Sequence, residues 1–203
     1  IDFRRTVRLS LATGGEPLAL PRRQRFDRAV RLTVLCDVSG SMTAYARVFL
    51  AFVAGLMRGE RTADAYLFHT KLVRITEALR DDDPLRALNR LTLMAEGFGG
   101  GSKIAANLER FARPYARQFV NGRSVVVILS DGYDTDPSEL MAQALQRLKR
   151  RGCRIVWLNP LAGWKGYEPV ARGMAAARPH LDLFAPANTL ASLAALEPEL
   201  ARI

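Results

Sequence analysis

Three polar segments carry side chains of the kind that hold metal ions. They span residues 37–41 (DVSGS), 99–102 (GGGS) and 130–132 (SDG). Together they could place two carboxylates and three hydroxyls around one point, namely those of Asp37, Asp131, Ser39, Ser41 and Ser102. Oxygen donors without His or Cys suit Mg²⁺, Mn²⁺ or Ca²⁺ rather than zinc. Because two carboxylates only balance a divalent ion, we expect the ion to keep a position open for an outside carboxylate.

Alternating strand and helix patterns predict the elements that position these segments. Apolar runs at 31–36 (RLTVLC) and 124–130 (SVVVILS) are typical of strands buried in a parallel sheet. The stretch 45–58 is apolar nearly all round and predicts a helix packed beside the sheet. Two short runs at 65–68 and 72–75 predict a hairpin. We expect an α/β fold with a doubly wound (Rossmann-like), mostly parallel sheet and one antiparallel edge strand.

This topology predicts where the three polar segments meet. In doubly wound sheets, ligands bind beyond the carboxyl ends of the strands. Segments 37–41 and 130–132 each follow a predicted buried strand, and segment 99–102 precedes a helix with an apolar stripe. We therefore expect one site at that edge, within a domain spanning 26–203 that is preceded by a basic arm at 1–25.

The remaining pattern predicts the other elements and some local roles. Further helices are predicted at 84–94, 168–177 and 189–201, and further strands at 154–158 and 182–184. Pro114 should kink or shorten the helix that contains it. We interpret Asp136 as the N-cap of the helix that follows it. Asp134 is interpreted as a surface residue, and His69 as a surface or hairpin residue.

The chain is basic, which raises the question of a nucleic-acid partner. Its 203 residues carry a formal net charge of +10, with 26 Arg and only 4 Lys. Residues 1–31 hold eight Arg against three acidic residues, so half of the excess charge lies there. No aromatic residues interleave with these arginines, as a base-stacking platform would need. Nucleic-acid binding is disfavoured, and RNA binding through the arm remains an alternative that salt dependence would reveal.

Cysteine content and hydropathy indicate the cellular compartment that we expect for this chain. The two cysteines, Cys36 and Cys153, exclude a disulfide scaffold and a four-cysteine zinc site. The longest apolar run, 48–57, has ten residues and is too short to span a bilayer. The sequence opens without a secretory leader and without Met, which suggests a trimmed or excerpted chain. We expect no membrane span and a cytoplasmic location.

The motifs argue against an enzyme. Residues 97–104 (GFGGGSKI) imitate a phosphate-binding loop, but Ser102 replaces its second glycine and Ile104 its Mg²⁺-binding hydroxyl residue. A serine hydrolase would need Gly-x-Ser-x-Gly around its nucleophile, whereas Asp37 and Ser41 occupy the two glycine positions around Ser39. A Mg²⁺-dependent hydrolase is the weaker alternative, and we expect a non-catalytic protein.

The three segments together resemble the metal-ion-dependent adhesion site of von Willebrand factor A (VWA) domains. The resemblance runs from about residue 31 to the C-terminus, with the motifs in the right order. It implies that Ser39, Ser41 and Ser102 donate hydroxyls to the metal, Ser102 standing where the family more often has Thr. It also implies that Asp37 and Asp131 ligate the metal directly or through water.

A narrower resemblance rests on the arm and the first motif. Segments 5–8 (RTVR), 14–18 (GGEPL) and 35–42 (LCDVSGSM) are similar to the CoxE-like bacterial proteins. This resemblance implies a cytoplasmic partner of a MoxR-type AAA+ ATPase, acting in the maturation of a metalloenzyme. The family usually has a further N-terminal helical region, which this sequence lacks. The expected mechanism is metal-bridged capture of an Asp or Glu side chain on the ATPase or on its client metalloenzyme.

Overall fold

One mixed sheet forms the centre of the computed structural model, which describes residues 30–59, 62–80 and 102–196. Within these residues the strands are β1 (Arg31–Asp37), β2 (Asp64–Phe68), β3 (Leu72–Arg74), β4 (Ser124–Leu129), β5 (Arg154–Asn159) and β6 (Leu183–Pro186). Their spatial order is β3-β2-β1-β4-β5-β6. Only the β2–β3 pair is antiparallel among these strands. The expected α/β fold, with one antiparallel edge strand, is confirmed.

Apart from the β2–β3 hairpin, the described segments between the strands contain helices. The α-helices are α1 (Thr43–Gly59), α2 (Thr76–Leu79), α3 (Ile104–Arg110), α4 (Ala116–Phe119), α5 (Ser138–Lys149), α6 (Arg172–Ala177) and α7 (Leu190–Ala194). Short 3₁₀ turns span Gly40–Met42, Pro160–Gly163 and Arg178–His180. A π-helical turn, Phe111–Tyr115, joins α3 to α4 and contains Pro114. Because proline has no N–H to donate, the helix departs from α geometry at this point and continues as α4, where the prediction was a kink or a shortened helix.

Helices cover both faces of the sheet, and each face has its own apolar core. Alternate β1 residues point to opposite faces. Val34 and Cys36 pack with Phe49 of α1 in one cluster, whereas Leu35 packs with Leu108 of α3 in the other. On α5 the buried residues are Met141, Ala144, Leu145 and Leu148. This is the apolar stripe that the helical spacing predicts.

Some predicted boundaries differ from the structure. The helix predicted at 168–177 begins only at Arg172, since residues 167–170 have no regular secondary structure. The arm at 1–25, the helix at 84–94 and the glycine-rich loop at 97–101 lie outside the described residues. Of the helix predicted at 189–201, the described part is α7.

Among the described residues, no single helix is both long and apolar enough to cross a bilayer. Segments Gly40–Ala46 and Val48–Met57 meet the criteria only as a pair, with a bend of 61° between them.

A buried polar network fixes the edge hairpin to the sheet. The Asp64 side chain is 6% exposed and accepts hydrogen bonds from the Tyr66 hydroxyl at 2.6 Å and Arg74 Nε at 2.8 Å. The Thr76 hydroxyl donates to the same carboxylate. One carboxylate at the start of β2 therefore joins β2, β3 and the first turn of α2.

Replacing Asp64 with alanine should reduce the free energy of unfolding by about 3 kcal/mol. The substitution leaves a guanidinium and two hydroxyls without their shared acceptor in a mostly buried setting. Urea denaturation of the two proteins measures the loss. The matched control is Glu77→Ala, because the Glu77 side chain is 77% exposed and lies 3.9 Å from Arg80. That control should cost under about 0.5 kcal/mol, and an equal loss in both variants would contradict the role given to Asp64.

Candidate metal centre

Two neighbouring strands bring the first and third polar segments together. Strands β1 and β4 are parallel neighbours, and Cys36 lies opposite Leu129 near their carboxyl ends. Asp37 is the last residue of β1 and Ser130 directly follows β4, so the two loops leave the sheet side by side. Both Asp37 and Ser130 are fully buried, each with 0% of its surface exposed.

The Asp37 carboxylate is the centre of the hydrogen bonds at this junction. Its Oδ1 accepts from the Ser39 backbone N–H at 2.9 Å. Its Oδ2 accepts from the Ser130 hydroxyl at 2.7 Å and from the Ser102 hydroxyl at 3.5 Å. All three predicted segments therefore contact one buried carboxylate, at the sheet edge where the topology rule places ligands.

The other predicted ligands lie around this carboxylate. Ser39 and Ser102 are buried, whereas Ser41 is exposed and its hydroxyl lies 3.3 Å from the Ser39 hydroxyl. Asp131 is buried, and its Oδ1 accepts from the Tyr133 backbone N–H at 3.0 Å. Ligation of a metal by these five residues remains a prediction.

Burial and charge change the acidity of Asp37. Burial raises the pKa of this carboxyl to about 6, and the nearby negative charge of Asp131 adds to the rise. Hydrogen bonds from Ser130 and Ser39 act in the opposite direction without cancelling the effect of burial. Two carboxylates enclosed near each other create a negative potential that favours a bound cation.

Ser102 is held at the site by a loop that follows β4. The Thr135 backbone N–H and hydroxyl donate to the Ser102 carbonyl at 3.0 and 2.7 Å. In the same loop, Asp134 accepts from the Ile104 and Ala105 N–H groups, and Asp136 accepts from the Ala106 N–H. These two carboxylates cap the N-terminus of α3, the helix that follows Ser102.

Two local interpretations from the sequence are therefore wrong. Asp136 does not cap α5, whose N-cap is Pro137 without a side-chain hydrogen bond. Asp134 is half-buried as the cap of α3 rather than a surface residue. The reason is tertiary: the β4 loop folds onto the free N–H groups of α3, which lie about 30 residues earlier in the chain.

His69 lies in the β2–β3 hairpin, which is one of the two positions predicted for it, and its side chain is buried there. Its carbonyl accepts from the Lys103 N–H at 3.2 Å and from the Asn107 side chain at 2.8 Å. The hairpin therefore anchors the start of α3 from the other side.

Sequence reasoning missed residues on β5 that hold the Asp131 loop. Trp157 Nε1 donates to the Ser130 carbonyl at 2.9 Å, and Asn159 Nδ2 donates to the Asp131 carbonyl at 2.8 Å. Gly132 has φ of +82°, and a Cβ there would lie 2.8 Å from the Met174 sulfur. A buried Asn at the end of an apolar strand was the available signal, because a buried amide needs partners.

The donor set fits a hard divalent cation. Within residues 30–59, 62–80 and 102–196, no group of three or more His, Cys, Asp or Glu residues could hold a metal. A site at Asp37 therefore depends on two carboxylates supplemented by hydroxyls, all oxygen donors. Such a set is typical of Mg²⁺, Mn²⁺ or Ca²⁺. The high pKa of Asp37 fits such a cation too, because a bound cation, like a proton, would offset the cost of burying this carboxylate and the smaller repulsion from Asp131.

The stabilising effect of Mg²⁺ should depend on pH. Because the folded pKa of Asp37 lies above its unfolded value of 3.8, this group costs the metal-free protein stability as pH rises towards and through about 6. A bound cation would offset that loss above pH 6, whereas a proton competes with it below. Thermal melts should show a larger Mg²⁺-induced rise at pH 7.5 than at pH 5.0. An equal rise at both values would contradict binding at Asp37.

Comparisons of sequence identify similar proteins over most of the chain. The model of the family described as "VWA domain containing CoxE-like protein" matches residues 1–193. YehP of Escherichia coli (strain K12) is 28% identical over 144 residues, which is 69% of this chain and 35% of YehP. The chain therefore spans about a third of the length of this curated relative.

Comparisons of structure show the same fold at low sequence identity. An aerotolerance-related membrane protein from Bacteroides fragilis matches with a TM-score of 0.57 and 14% identity, covering 86% of this chain and 100% of that one. Proximal thread matrix protein 1 from the mussel byssus matches with a TM-score of 0.52 and 15% identity. That protein was solved with zinc in its MIDAS motif, the metal-ion-dependent adhesion site. That match covers 84% of this chain and 46% of the mussel protein.

Proposed function

This chain belongs to the family of VWA-domain-containing CoxE-like proteins, and we propose that it is a non-catalytic interaction module that captures a partner carboxylate at a bound Mg²⁺ ion. The observation that carries the proposal is the position of Asp37. Its carboxylate is fully buried at the carboxyl edge of the sheet and contacts all three polar segments. The low dielectric there makes a cation the natural counterpart of the two enclosed carboxylates.

Each residue of the site has a defined part in this mechanism. Asp37 and Asp131 would supply the negative charge that holds the ion, directly or through water. Ser39, Ser41 and Ser102 would add neutral hydroxyls, which complete the coordination without neutralising the ion further. The ion, when bound, supplies an electrophilic position that an Asp or Glu side chain of the partner fills.

Exposed aromatic residues lie at the same edge of the sheet. The Tyr133 side chain is 56% exposed two residues after Asp131. Trp164, in the loop after β5, is 61% exposed, and its Nε1 donates to the Tyr45 hydroxyl at 3.2 Å near the start of α1. Partly exposed aromatic side chains often contribute much of the energy of protein interfaces. They support a protein, rather than a small molecule, as the species that docks here.

The partner that best fits the family is a MoxR-type AAA+ ATPase or its client metalloenzyme. We place the chain in the cytoplasm with such a partner, acting in the maturation of a metal-containing enzyme. Mg²⁺ is the preferred ion because it is a hard cation that keeps exchangeable positions, and Mn²⁺ or Ca²⁺ would suit the same oxygen set.

The arrangement gives no support to hydrolysis. Asp37 is fully buried and accepts hydrogen bonds on both oxygens, so it is not placed to attack a substrate. Cys36, the nearest thiol, is also buried, and burial raises its pKa well above the usual range, which leaves it unreactive. The purified chain should therefore show neither ATPase nor hydrolase activity.

Co-purification with and without EDTA tests the proposed function. The tagged chain is recovered from cell extract in Mg²⁺ or in EDTA, and the retained proteins are identified by mass spectrometry. We expect an AAA+ ATPase or a metalloenzyme to be retained in Mg²⁺ and lost in EDTA. Recovery of RNA instead, insensitive to EDTA and lost at high salt, would favour the RNA-binding alternative.

A further inference from the structure

A groove lined by arginines lies at the opposite edge of the sheet from Asp37. Its volume is about 570 Å³, and its lining residues are Ala112, Arg113, Arg117, Arg147, Arg150 and Arg151. Arg150 and Arg151 lie in the turn that enters β5, whereas the candidate metal centre follows the far ends of β1 and β4. A strand of six residues is about 20 Å long, so the groove is a separate surface.

The arginines of the groove are largely uncompensated. Glu109 of α3 pairs with Arg113 Nε at 2.6 Å and Arg147 Nε at 3.1 Å. Arg117, Arg150 and Arg151 form no ion pair with a residue that the structure describes. The carbonyl end of α5 would favour one or two cations by its dipole. Among the described residues, five guanidinium groups surround one carboxylate, which is more positive charge than the helix dipole alone would favour.

We propose that this groove binds an acidic segment of a protein partner, with two or more carboxylates seated between the guanidinium groups. The Glu109 carboxylate, shared by two arginines, shows within the molecule how such a group is held. Guanidinium forks match carboxylate geometry and bind it with charge-assisted hydrogen bonds. Among the residues that the structure describes, the lining contains no aromatic ring and so offers no platform on which nucleic-acid bases would stack.

Fluorescence anisotropy with a labelled hexaglutamate peptide tests the proposal. The buffer contains EDTA, so that a metal-bridged contact at Asp37 does not contribute. The triple variant Arg117→Gln, Arg150→Gln, Arg151→Gln should raise the Kd at least tenfold. The matched variant Lys71→Gln, Lys165→Gln, Arg172→Gln removes the same charge from exposed positions outside the groove and should change it less than twofold. Equal losses in both, or no binding by the wild type, would overturn the proposal.

A second pair of variants tests the groove from the opposite direction. Glu109→Gln releases Arg113 and Arg147 from their internal partner and should tighten hexaglutamate binding about two- to fivefold. Glu139→Gln makes the same charge change at an exposed position near the other end of α5 and should leave binding unchanged. An equal gain from both would mean that net charge alone attracts the peptide. Tighter binding of an oligouridylate of equal charge would assign the groove to nucleic acid and overturn the proposal.

Discussion

Asp37→Asn should abolish the rise in melting temperature that Mg²⁺ produces in the wild-type chain. A ligand that binds only the folded state stabilises it by mass action, so at one hundred times its Kd the ion adds about 2.7 kcal/mol. Asparagine keeps the shape of the side chain but removes the buried charge that contacts all three segments. Calorimetric melts without Mg²⁺ and with a saturating concentration of about 10 mM measure the difference.

The control for this prediction is a carboxylate of the same loop region that lies off the site. Asp136→Asn weakens the cap of α3 through the Ala106 N–H but leaves Asp37 and Asp131 in place. It should lower the melting temperature in both buffers and retain most of the Mg²⁺-induced rise. Retention of the full rise by Asp37→Asn would mean that the ion binds elsewhere and that the site assignment is wrong.

Substitutions at the site should weaken partner capture in a graded way. Asp131→Asn removes one of two charges that hold the ion and should weaken binding of the AAA+ partner at least a hundredfold. Ser102→Ala removes one neutral hydroxyl, which water can replace, and should weaken it about three- to tenfold. Isothermal titration of each variant in Mg²⁺ measures both effects. Equal, small losses in the two variants would contradict a metal bridge.

The fold, and the position of Asp37 and Asp131 after neighbouring strands, could be predicted because the pattern is local. The segments 31–36 and 124–130 are largely apolar runs, and each is followed directly by an aspartate, Asp37 and Asp131 respectively. Parallel pairing of such strands places those residues side by side whatever the details of packing. The buried stripe of α5 follows from helical spacing in the same way.

The residues that orient the site could not be predicted, because their partners are distant in sequence. Asp134 and Asp136 have the spacing of local caps, yet they bind the N–H groups of α3, about 30 residues away. The arginine groove has the same origin. Its residues come from two segments that meet only where the α3–α4 turn packs against α5. Helix packing, rather than any motif, creates that surface.

Titration of the chain against its AAA+ partner, in Mg²⁺, in EDTA and then at increasing salt, tests the central claim most directly. A metal bridge to a carboxylate predicts binding in Mg²⁺, loss of at least a hundredfold in EDTA, and recovery when Mg²⁺ is restored. If electrostatic attraction between basic surfaces and an acidic partner held the complex, the affinity would instead fall as salt increases and would not change in EDTA. Undiminished affinity in EDTA, with strong loss at high salt, would contradict metal-bridged capture.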